Sequence, residues 1–93
     1  MMKYKAKLID QITEREMSRQ IFEQVAGQER ILIFDCDHGD NRAHFILDSG
    51  GVIHTSAIQN TAVKDGQVVI VTKNSTYVFE IISEISPVTE GVV

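Results

Sequence analysis

The sequence predicts an α+β fold: one N-terminal helix on a strongly twisted antiparallel sheet of five to six strands, with closure into a small barrel left open. Three observations lead there. Apolar residues alternate with polar ones in several short runs. They recur every four residues in one stretch only. Turn-forming pairs such as Asp65-Gly66 and Asn74-Ser75 separate the later runs. A length of 93 residues suits one domain, assigned to 1–86, with a loose tail at 87–93 around Pro87.

Lys3 to Leu8 alternate strictly, so Tyr4, Ala6 and Leu8 point inward on a first strand. Its outward Lys3, Lys5 and Lys7 suggest a protected sheet edge. Thr13-Glu14-Arg15-Glu16 has capping-box spacing. Met17, Ile21 and Val25, with Phe22 beside them, form the apolar stripe of a helix of three to four turns that stops at Gly27. Five further strands follow: Ile31 to Asp37, Arg42 to Asp48, Val52 to Ile58, Gln67 to Lys73 and Thr76 to Ile82.

Pairing through the turns gives a core. Across Gly39-Asp40, read as a type II′ turn, Cys36 faces Ala43, Phe34 faces Phe45 and Leu32 faces Leu47. Across Asn74-Ser75, Thr72 faces Tyr77, Ile70 faces Phe79 and Val68 faces Ile81. The other face of that last hairpin carries Val69, Val71, Val78 and Ile82, with Glu80 among them. A second apolar face calls for cover. These five residues are the expected interface, and a homodimer is the expected assembly.

Composition narrows the function classes. A net charge of −4 argues against a general nucleic-acid binder. No Lys or Arg follows Lys73, so Glu80, Glu84 and Glu90 leave an acidic C-terminal half suited to a basic protein surface. One cysteine, Cys36, and the lack of an apolar leader point to a reducing, cytoplasmic setting. The runs ILIF and VVIV are too short to span a bilayer, and no membrane role is expected.

The segment Asp35 to His44 concentrates the suggestive side chains. Asp35, Asp37, His38 and His44 are candidate metal ligands, but they match neither calcium-loop nor zinc spacing. Asp35 opposite His44 and Asp37 opposite Arg42 are the plainer reading, as cross-strand pairs. A one-residue bulge at Ser49-Gly50-Gly51 would set Ser56 beside His44 and complete an Asp–His–Ser row. A plain two-residue turn sets Ala57 there instead. Such a row lacks an oxyanion hole, and no Gly-x-Ser-x-Gly elbow exists. Cys36, between aspartates and facing phenylalanines, reads as a buried, inert thiol. No phosphate-binding glycine motif occurs. No catalytic residue and no cofactor is expected.

Val52-Ile53-His54-Thr55-Ser56-Ala57-Ile58, followed by Val71-Thr72-Lys73-Asn74-Ser75-Thr76-Tyr77, resembles the closing hairpins of small uncharacterised proteins of phages and other mobile elements. The resemblance covers about the last third of the chain and implies no activity. It favours an interaction protein that regulates or inhibits a host factor. The expected function is therefore a non-enzymatic protein-interaction module. The alternatives are a small barrel that binds single-stranded nucleic acid through Lys3, Lys5, Lys7 and Arg30, and a small metal-dependent enzyme using Asp35, Asp37, His38 and His44.

Overall fold

The computed structural model describes residues 2–34 and 42–85. In chain order they form β1 (Met2–Thr13), α1 (Glu16–Glu23), β2 (Glu29–Phe34), β3 (His44–Ile46), β4 (Val52–His54), β5 (Ile58–Lys64), β6 (Gln67–Thr72) and β7 (Ser75–Glu84). The seven strands make one antiparallel sheet in the order β4-β3-β2-β1-β7-β6-β5. The mainly β, α+β character agrees with the sequence reading. The strand number is seven rather than five or six, and the sheet ends at β4 and β5 instead of closing into a barrel.

β1 is the central strand, not an edge. It pairs with β2 on one side and β7 on the other, so its lysines lie on a sheet face rather than along a sheet edge. Lys7 stands between Glu29 and Glu80 and reaches Glu80 at 3.4 Å. Lys5 reaches Glu29 at 3.6 Å. Such exposed pairs contribute about 0–1 kcal/mol each, so they set charge balance more than stability. β1 also runs past Leu8 to Thr13. Between Leu8 and Asp10 the register with β7 shifts, leaving Ile9 as an extra residue. The bulge breaks the alternation, which is why the strand pattern stops at Leu8 in the sequence.

A second shift lies between Lys5 and Ala6, where Ile82 of β7 is the extra residue. Bulges bend and twist the strands that carry them. With two in the central pair, the sheet rolls onto its own inner face. The rings of Phe45 on β3 and Phe79 on β7 sit 5.4 Å apart, although β2 and β1 run between them. In a flat sheet three strand spacings would hold them about 14 Å apart. The core is the inside of this roll. It contains Tyr4, Ala6, Leu8, Leu32, Phe34, Phe45, Val68, Ile70, Tyr77 and Phe79, all buried.

The helix closes one mouth of the roll. It has eight residues, about two turns. Phe22 meets Tyr77 with the rings tilted and their centroids 4.5 Å apart, and Val25 follows it into the core. The expected stripe is corrected here, because Met17 is 76% exposed and Ile21 41% exposed. The capping box is also corrected. The N-cap is Arg15, with no side-chain cap, and Thr13 still belongs to β1. Its hydroxyl is taken by Ser75 Oγ at 2.6 Å and accepts the Arg15 N–H at 3.0 Å. Gly27, with φ 78°, ends the turn after the helix, and its N–H donates to the Leu8 carbonyl.

Both expected hairpins keep their faces but slip by two residues. Leu32 faces Phe45 and Ile33 faces His44, where Leu47 and Asp35 were expected. Ile70 faces Tyr77 and Val68 faces Phe79, because the turn is at Lys73-Asn74 rather than Asn74-Ser75. A two-residue slip is invisible to a period-two pattern, since every side chain stays on its own face. The Gly39-Asp40 turn, the Cys36–Ala43 and Asp37–Arg42 pairs and the 87–93 tail lie outside the described residues.

Two turns use glycine for its backbone freedom. Leu47 and Gly51 close a three-residue loop, with Gly50 at φ 88° after Asp48-Ser49. Asp65-Gly66, at φ 54° and 77°, is a type I′ turn between β5 and β6. A Cβ on Gly66 would meet nothing within 4 Å, so only backbone strain opposes it. Gly66→Ala is expected to cost about 1–2 kcal/mol of stability, read as a lower urea midpoint at unchanged slope.

Candidate interaction face

The outer face of the C-terminal strands is built from three cross-strand rows. Asp10, Val78, Val69 and Ala62 lie side by side on β1, β7, β6 and β5. The neighbouring row is Ile12, Thr76, Val71 and Asn60, and on the far side Lys7, Glu80, Gln67 and Lys64 form a polar margin. Successive residues on one face of a strand stand about 7 Å apart and neighbouring strands about 5 Å apart, so the apolar members touch as one patch. Val69, Val71 and Val78 are half-buried, whereas Ile12 is 68% exposed. A depression of about 390 Å³ at one end of the patch is lined by Ile12, Val71, Thr76, Lys73, Asn74 and Gln59 among others. Ile82, placed on this face by the sequence, sits at the second bulge, 38% exposed.

The strand β5 extends the patch and, among the described residues, is an edge of the sheet. The two edges of the sheet differ. β4 has three residues, too short to offer much of a ladder, and β5 has seven. β5 contains no proline and its only charge is Lys64. These are the properties that leave a strand open to further pairing. Sequence reading missed β5. Its Gln59-Asn60-Thr61 centre is polar on both faces, and Gln59 is a bulge residue. The Asp65-Gly66 turn was the available signal, because a type I′ turn needs a strand before it as well as after.

No protein family model, curated protein or solved structure matches this chain.

The metal candidates are not assembled among the described residues. Asp35, Asp37 and His38 fall outside them. His44 is exposed on β3, opposite Ile33, and its ring lies 6.0 Å from that of His54 on β4. Among the described residues no group of three His, Cys, Asp or Glu side chains converges. The Asp–His–Ser row is overturned at its centre. The three-residue Asp48–Gly50 loop places His54 beside His44, where Ser56 or Ala57 was expected. Of the lysines and arginine proposed for nucleic acid, Lys5, Lys7 and Arg30 have carboxylates in reach. Besides the Lys5 and Lys7 pairs, Arg30 bonds Asp48 at 2.9 Å, with its Nη atoms also on Gln28 Oε1 and the Glu29 carbonyl. No described helix is long and apolar enough to cross a membrane.

Proposed function

We propose that this chain is a non-enzymatic protein-interaction module that pairs with a second copy through the outer face of β6 and β7. The observation that carries the reading is the patch formed by Val69, Val71, Val78 and the exposed Ile12, beside the β5 edge of the described sheet. The roll of the sheet buries the inner face and, among the described residues, leaves this one open. Each aliphatic side chain left in water there forgoes part of the roughly 1.5–3 kcal/mol that full burial provides. At the margin Glu80 already has Lys7 at 3.4 Å, so its charge does not oppose self-association. Regulation or inhibition of a host factor is the role that the likeness of the last third of the chain to mobile-element proteins favours for such a module. The acidic C-terminal half suits a partner with a basic surface.

Light scattering at micromolar concentration is expected to give a dimer. Val71→Asp is expected to give a folded monomer, since it sets a charge in the apolar centre of the contact. A wild-type monomer that accepts Val71→Asp without loss of stability would overturn the reading.

A further inference from the structure

On the side of the molecule where the helix begins, the start of α1 and the chain after β4 enclose a cleft of about 220 Å³. Arg15, Ser18, Arg42, His54, Thr55 and Ser56 line it, and among the described residues no lining residue is a carboxylate. This is unusual on a chain of net charge −4. Among the described residues neither arginine has an ion-pair partner. Both are held at the backbone. The Arg15 N–H donates to Thr13 Oγ1, itself bonded to Ser75. Arg42 precedes the buried Ala43, whose N–H donates to Thr55 Oγ1 and whose carbonyl accepts the Thr55 N–H, each at 3.0 Å. The remaining wall is apolar: the exposed Met17 and Ile21 and the edge of Tyr77.

We propose that this cleft binds a phosphomonoester carried on a small apolar body. Two arginines that line one small cleft bring like charges to it, which an anion bound there offsets. Guanidinium forks match the oxygens of a phosphate in pairs, and the Ser18 and Ser56 hydroxyls supply further donors. Met17 and Ile21 then cover the apolar body, which accounts for two large side chains of α1 that face away from the core. The site is separate from the patch on β6 and β7, so it stands or falls independently of the dimer.

The test is an amide-resolved NMR titration of the full chain with inorganic phosphate and with phenyl phosphate, at constant ionic strength. Saturable shifts are expected at Met17, Ser18, Arg42, Thr55 and Ser56. Phenyl phosphate is expected to bind about tenfold more tightly than phosphate, through its ring. Arg15→Gln with Arg42→Gln is expected to weaken binding at least about tenfold while leaving the thermal midpoint unchanged, because both side chains are exposed. Absence of saturable shifts at millimolar ligand, or equal shifts in the double variant, would overturn the proposal. So would shifts centred elsewhere on the surface. Equal affinity for the two ligands would overturn the assigned apolar subsite.

Discussion

Phe79→Ala is expected to take away a large share of the protein's stability. Phe79 is fully buried in the middle of the roll and its ring meets that of Phe45 from the far limb of the sheet. Truncation removes the transfer free energy of the ring and leaves a cavity that the curved sheet cannot close. Together these cost about 3–5 kcal/mol. A domain of this size has only about 5–15 kcal/mol in total. The pair also has a specific signature. In a double-mutant cycle with Phe45→Leu and Phe79→Leu, which keep much of the volume, the two rings are expected to couple by about 0.5–1.5 kcal/mol. Additive effects would show that the two limbs of the sheet do not press on each other through these rings. Urea denaturation followed by circular dichroism measures both quantities.

The second large effect is expected at the hydroxyl pair of Thr13 and Ser75. These side chains, both buried, bond each other at 2.6 Å across the end of the β1–β7 ladder, and Thr13 also accepts the Arg15 N–H. Ser75→Ala leaves the Thr13 hydroxyl without its buried partner, at a cost of about 1–3 kcal/mol. Thr13→Val removes the acceptor that ties the start of α1 to the sheet, with a loss of similar size. The double variant is expected to lose less than the sum, because the second change removes a group already stranded by the first. A fully additive result would show that the two hydroxyls act separately.

The faces of this protein were legible in its sequence and the register was not. Tyr4, Ala6, Leu8, Leu32, Phe34, Phe45, Val68, Ile70, Tyr77 and Phe79 were assigned inward by alternation, and all are buried. Alternation says which side of a sheet a residue occupies. It does not say which residue lies opposite, so a turn at Lys73-Asn74 passes for one at Asn74-Ser75. The order of strands was hidden for a related reason. Three outward lysines look the same on an edge strand as on a central one flanked by Glu29 and Glu80. The helix was visible in Phe22 and Val25, but Met17 and Ile21 share the same spacing and point elsewhere. Of the expected interface, Val69, Val71, Val78 and Glu80 do fall on one face. The parts of that face from Ile12 and β5 were lost behind bulges at Ile9 and Gln59.

The central position of β1 has a kinetic consequence. The strands β2, β3 and β4 are joined by consecutive connections, as are β5, β6 and β7, and each set can organise soon after it is made. β1 unites the two sets, yet its partner β7 begins 62 residues further on, as the Thr13–Ser75 bond shows. At about 5–20 residues per second a ribosome takes about 3–12 s to add that segment. During this interval one side of β1 presents open hydrogen-bonding groups. Pairing over so long a stretch of chain also slows folding itself, toward the millisecond-to-second range of sheet proteins. The lysines on β1 then have a use before Lys7 meets Glu80. A nascent strand carrying Lys3, Lys5 and Lys7 repels its own copies on neighbouring ribosomes while it waits for β7.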